Sequence, residues 1–217
     1  MSSLYGKHQR ELQERFGTVA LADRLERVAV HRQIDETNKA FIEGRDMFFL
    51  STVDSGGRPT VSYKGGDPGF VRVLDPQTIA FPSYNGNGMF YSMGNVSASG
   101  QVGLLFIDFE TPHRLRLQGG AAIDPEDPLL GDFCGAELVV RVTVTDLFVN
   151  CPRYVHRYGK VEASRYVPRD GEEVPVAEWK RIDALQDVLS EQDRAAARRA
   201  GLLSPGEYAE KVGSGKG

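Results

Sequence analysis

The stretch AELVVRVTVTDLFVN (136–150) sets Val140, Val142 and Val144 against Arg141, Thr143 and Thr145 in strict alternation. Only a β-strand repeats its faces every second residue, and a strand with one apolar face needs a core on that side. A helix is excluded there, and so is an isolated strand, because the backbone groups along it need partners.

Partners are present in the sequence. MFFLSTV (47–53), the turn DSGG and RPTVSY form a hairpin signal. KGGDPG (64–69) leads into FVRVL, and DPQ leads into TIAFP, giving four predicted strands between residues 47 and 82. QVGLLFIDF (101–109) is apolar throughout, as a strand covered on both faces would be. HRLRLQGGAAI (113–123) alternates again, Leu115 and Leu117 against Arg114 and Arg116. Glycine pairs at 56–57, 65–66 and 119–120 suit the bends of a sheet that curls. Six or more antiparallel strands within about a hundred residues imply a small closed barrel.

Helices flank this region. Residues from about Lys7 to Val30 read as helix, and a second helix is expected from the N-cap Asp35 to the C-cap Gly44. The carboxyl end is expected to return to helix in VAEWKRIDALQDVLS, SEQDRAAARRAG and SPGEYAEKVG, with Ser190 and Ser204 as N-caps and Pro205 at the first helical position. The division expected is a helical segment over 1–34, a β domain over 35–160 and a helical extension over 161–217.

Class follows from composition only by exclusion. A net charge of −4 without a basic stripe argues against nucleic acid. No apolar run approaches the roughly 20 residues that cross a bilayer, and the charged amino terminus carries no signal-peptide core. Cys134 and Cys151, far apart, read as two reduced thiols, so a cytoplasmic location is expected. His8, His31, His113 and His156 show no metal-ligand spacing, and no metal is expected. Cys151 beside Arg153 could be a thiolate or a thiol packed at a strand end.

FPSYNGNGMFYSMGN (81–95) begins as a strand and ends as a helix. The amide-rich start of a helix, approached through Gly86 and Gly88 and flanked by Ser83, Asn85 and Asn87, is suited to an anion such as phosphate. The rival reading is an Asn-Gly turn that merely caps the helix. Lys64, beside two glycines, adds the full positive charge that a phosphate favours.

Together the segments FFLSTVDSGGRPTVSYKGGDPGFVRVLD, TIAFPSYNGNGMFYSMGNVSASGQVGLLFID and HRLRLQGGAAI resemble the pyridoxamine 5'-phosphate oxidase-like flavin-binding proteins, and more narrowly the branch of predicted flavin-nucleotide-binding proteins. The likeness covers about residues 35–160. It implies a mainly β fold with flanking helices, a six-stranded antiparallel split β-barrel that binds FMN where two subunits of a homodimer meet. It points to Ser62, Tyr63 and Lys64 along the flavin, and to Pro82, Ser83, Tyr84, Asn85, Asn87 and Gly88 around the phosphate and ribityl chain. It also points to Arg114 at the ring, and to Arg153 and Tyr154 reaching the other subunit's cofactor.

The sequence departs from the family's oxidases in two places. NGNGM stands where they carry a basic pair, and nothing after residue 160 matches the segment that grips the pyridoxal ring. FMN binding and hydride transfer on a small-molecule substrate are therefore expected, and oxidation of pyridoxamine phosphate is not. The alternatives are an FMN carrier or sensor without turnover, or a barrel holding haem (through His113 or His156) or a deazaflavin.

Overall fold

The computed structural model describes residues 4–216. It divides into two compact units, the first ending at Glu162 and the second beginning at Ala163.

In the first unit, helices α1 (Lys7–Arg15) and α2 (Val19–Ala29) precede a two-residue strand β1 (Val30–His31) and helix α3 (Glu36–Glu43). Then come β2 (Met47–Val53), β3 (Pro59–Gly65), β4 (Arg72–Asp75), β5 (Thr78–Tyr84), α4 (Tyr91–Ser99), β6 (Gln101–Asp108), β7 (His113–Asp124) and β8 (Ala136–Asn150). The single helix expected over residues 7–30 is two, parted at Gly17 and Thr18. Asp35 caps α3 as expected, its carboxylate accepting from the Asn38 amide at 2.7 Å. In the β2–β3 turn, Asp54 accepts from the backbone N–H groups of Gly56 and Arg58, both at 2.9 Å.

All strands join one antiparallel sheet in the order β3-β2-β6-β7-β8-β5-β4, with β1 added on β8. The described residues therefore form eight strands where the resemblance implied six. β4 is only four residues long, and β1 covers the end of β8 that extends beyond its pairing with β5. At about 4.8 Å per strand, a flat sheet would hold β3 and β5 about 24 Å apart. They instead line one cleft together, so the sheet is rolled.

The roll is built around Phe48. Its ring lies 4.9 Å from that of Phe81 on β5, 5.1 Å from Phe106 on β6 and 5.8 Å from Phe70, centroid to centroid. Val140, Val142, Val144, Leu115 and Leu117 fill the same core, on the faces that alternation assigned to them. Beyond Val144 the phase of β8 changes: Gln118 pairs with Asp146 and Gly119 with Val144, which leaves Thr145 as the extra residue of a bulge. After the bulge Leu147 is the buried residue. Gly119 is required there, because a Cβ would fall 2.3 Å from the Thr143 carbonyl oxygen.

In the second unit, VAEWKRIDALQDVLS is not the helix its pattern suggests. It makes two 3-10 turns, Glu178–Arg181 and Asp183–Leu185. Ile182 between them is extended and bridges Leu203, with the Leu203 N–H donating to the Arg181 carbonyl at 2.8 Å and the Asp183 N–H to the Leu203 carbonyl at 2.9 Å. The buried Glu178 carboxylate meets Arg181 at 2.7 Å, Arg165 at 3.1 Å and Lys211 at 3.5 Å. These tertiary bonds outweigh local helix propensity. α5 (Glu191–Ala200) and α6 (Pro205–Gly213) start at the expected caps Ser190 and Ser204, the latter as a capping box. Among the described residues no helix is long and apolar enough to cross a membrane.

Two stability outcomes follow from the first unit. Replacing Phe48 by Ala leaves a cavity where three rings converge, and urea unfolding should lose about 3–5 kcal/mol; a loss below 1 kcal/mol would contradict the rolled core. Asp108 accepts from the Thr111 hydroxyl at 2.8 Å, from the amides of Glu110 and Thr111 and from Arg45 at 2.9 Å. Burial raises its pKa, but these bonds together prevail and lower it from 3.8 to about 2. A lowered carboxylate pKa stabilises the fold above the unfolded value and loses that contribution as pH falls through the folded one. About 2 kcal/mol should therefore disappear between about pH 4 and pH 2, and that loss should be missing from Asp108→Asn.

Candidate functional site

Pairing places Lys64 opposite Phe48, Ser62 opposite Leu50 and Thr60 opposite Thr52. Directly opposed residues share a sheet face, so the even-numbered side chains of β3 lie on the inner face. There they border a cleft of about 330 Å³, whose far side is the end of β5 and the loop into α4. That volume falls within the ~300–1,000 Å³ usual for small-molecule sites.

Helix α4 is fastened at the cleft by polar bonds to β2. Asn95, buried, donates to the Thr52 hydroxyl at 3.1 Å, and Ser99 donates to the Val53 carbonyl at 3.2 Å. Its first turn is left without a side-chain cap, since Phe90 at the cap position has φ 46° and contributes none. In the preceding loop the Met89 amide donates to the Asn87 side-chain oxygen at 3.1 Å, a turn that leads through Gly88 at φ 74°. Ser92, in the first helical turn, donates to the Ser62 hydroxyl at 3.3 Å and so links α4 to β3 across the cleft.

Among the described residues, Lys64 is the one cation lining the cleft and no carboxylate lines it. Its ammonium has no hydrogen bond or ion pair with any described residue. Desolvation by the surrounding core lowers its pKa. Tyr84 shifts the other way: burial raises its pKa first, with Cys134 and Asp67 adding to it, so its phenol stays protonated and able to donate.

Of the residues singled out from sequence, Ser62, Lys64, Ser83, Tyr84, Asn87 and Gly88 come together around this cleft. Ser83 and Tyr84 are sequence neighbours, yet both line it because the pairing of β5 with β8 shifts register between them. The others lie elsewhere. Tyr63 is on the outer face of β3, its ring edge-on to Phe49 at 6.2 Å, as the two-residue period requires. Pro82 is buried within β5, beyond the part paired with β4, where its missing N–H costs no bond on that side. Asn85 donates to Glu137 on β8 at 2.6 Å.

Arg114 donates to the Cys151 carbonyl at 3.0 Å, outside the cleft lining, while its buried Nε has no partner. Arg153 stacks over the exposed ring of Tyr154, which is held at φ 69°. The Arg153 amide donates to the Cys151 sulfur at 3.3 Å, and this bond, then the arginine charges, lower the Cys151 pKa against desolvation. His113 packs edge-on against Phe41 at 4.5 Å, and neither it nor His156 lines the cleft.

Sequence reading missed Thr60 and Ser92. Thr60 had a signal, since it shares the two-residue phase of Ser62 and Lys64. Ser92 had none, because its role comes from how α4 is docked.

A search against curated proteins found no match. Among solved structures, the chain is similar to HupZ of Group A Streptococcus, with 22% identity over 58% of this chain and 99% of that one at a TM-score of 0.44. HutZ, the haem storage protein of Vibrio cholerae, shows 20% identity over 54% and 94% at 0.40. An FMN-binding protein of Syntrophomonas wolfei shows 9% over 67% and 98% at 0.40. The sequence model of the pyridoxamine 5'-phosphate oxidase family matches residues 34–168, more than half of the chain, and the chain belongs to that family.

Proposed function

We propose that this chain binds FMN in the cleft between β3, the end of β5 and the start of α4, and acts as an FMN-dependent oxidoreductase on a small molecule in the cytoplasm. Lys64 carries the reading: a half-buried ammonium with no acidic partner, bordering a cavity of nucleotide-compatible size. A buried charge is costly unless paired, so such a lysine is stabilised by an anionic ligand.

The residues present fit a flavin nucleotide. The uncapped amides at the start of α4 and the Lys64 ammonium would hold phosphate. The hydroxyls of Thr60, Ser62, Ser83, Ser92 and Tyr84 would take the ribityl chain and the polar edge of the ring. Bound FMN would supply hydride transfer through its ring system. The chain's own contribution is then position and electrostatics. Among the described residues no carboxylate, histidine or cysteine borders the cleft to act as acid or base. That same lining supports a second reading, an FMN carrier without turnover. The two separate on whether NADH or NADPH reduces the bound flavin.

FMN titration tests the site. Lys64→Ala should weaken binding about tenfold or more, the usual effect of losing a charge-assisted hydrogen bond, and Asn87→Ala should weaken it less by loosening the turn. Equal affinity in wild type and both variants would remove the site.

The reading includes a homodimer with the cofactor between subunits. Val61, Met89, Phe90 and Tyr91 around the cleft mouth are 65%, 70%, 56% and 49% exposed, an apolar rim suited to burial against a second copy. Arg153 and Tyr154 would then reach the partner's cofactor. Sedimentation should show Val61→Asp as a monomer with weakened FMN affinity. An unchanged sedimentation coefficient would exclude this face from the dimer.

A further inference from the structure

The Lys64 amine has a chemical capacity that a phosphate-holding role does not use. It projects from a strand, not a loop, and its cross-strand partner is the fully buried Phe48, so its stem is held against the core. It lines a cavity of about 330 Å³ that, among the described residues, no carboxylate borders. Most protein lysines are solvated or paired, as Lys160 is with Asp46 at 2.6 Å and Lys7 with Glu11 at 3.7 Å. A lysine desolvated in a pocket is the usual setting for an amine nucleophile toward carbonyl compounds.

We infer that Lys64 condenses with small aldehydes bearing an anionic group, forming an imine within the cleft. The reaction balances without a further reactant. The ammonium gives a proton to solvent, and the neutral amine adds to the carbonyl carbon. The resulting carbinolamine loses its oxygen as water, leaving a carbon–nitrogen double bond. The imine nitrogen, once protonated, keeps the single positive charge of the cleft, which favours a carbonyl compound with a phosphate or carboxylate. Ser62 and Ser92, hydrogen-bonded to each other at 3.3 Å on the same cleft, are hydroxyls able to pass the protons that the addition and dehydration exchange. The lowered pKa of Lys64 adds to this, since it raises the share of neutral amine above that of a solvated lysine. The inference concerns the amine alone and does not depend on which cofactor the cleft takes.

Incubating the full chain with pyridoxal 5'-phosphate as probe, trapping imines with borohydride and mapping modified peptides by mass tests it. The expected result is an adduct at Lys64 formed about tenfold faster than at Lys7 or Lys160, lost in Lys64→Arg, and slower with pyridoxal, which lacks the phosphate. Labelling at Lys64 no faster than at those two lysines would overturn the inference, and equal rates with pyridoxal would overturn its anionic requirement. Adding FMN keeps this test apart from the cofactor reading. Protection of Lys64 by FMN agrees with both. Selective labelling that FMN leaves unchanged upholds the imine and counts against FMN in the cleft. FMN binding with no selective labelling upholds the flavin alone.

Discussion

The rolled sheet is the constraint from which the cleft follows. β3 begins the strand order and β5 is next to last, so their meeting depends on curvature, and curvature depends on what fills the concave side. Phe48, Phe81 and Phe106 converge there from three strands. The bulge at Thr145 and the forced glycine at 119 add local twist where β7 and β8 are longest. The same face that carries Phe48 carries Lys64 beside it, so the force that closes the core also draws a lysine partly out of water. The lowered Lys64 pKa follows from the same packing, because desolvation disfavours the charged amine.

Much of this was legible in the sequence, for reasons that differ by element. The alternating runs of β7 and β8 fixed which residues face inward, because a two-residue period admits one solution when one face is buried. Asp35, Ser190 and Ser204 marked helix starts because capping is a local bond between residues three apart. The 176–190 segment misled because its helical pattern is local while the bond that governs it, Ile182 to Leu203, spans twenty residues. Tyr63 was grouped with Ser62 and Lys64 through the family resemblance, although adjacent strand residues point to opposite faces. Ser83 and Tyr84 show the converse: a register shift, invisible in sequence, lets two neighbours face one cleft. The loop was read as a candidate site through its glycines and asparagines, and in the structure Asn85 and the Asn87 oxygen are engaged within the chain. Which polar atoms of that loop bond within the chain could not be read from sequence, because Glu137 lies 52 residues from Asn85.

The composition of the cleft bears on what it could do with a ligand. Among the described residues the cleft is lined by one cation and a set of neutral hydroxyls, with no carboxylate, histidine or cysteine to serve as a general acid or base. Such a site is suited to chemistry carried by the ligand itself, whether a redox cofactor or a reactive carbonyl, with the protein fixing geometry. The two uses proposed for Lys64 are therefore related physically: a desolvated amine gains most from a neighbouring anion and, when neutral, from a neighbouring electrophile. An aldehyde with a phosphate offers both at once, whereas a flavin nucleotide offers only the anion. On the two proposals, both ligand classes would compete for a single nitrogen, whose place is set by one strand residue opposite Phe48.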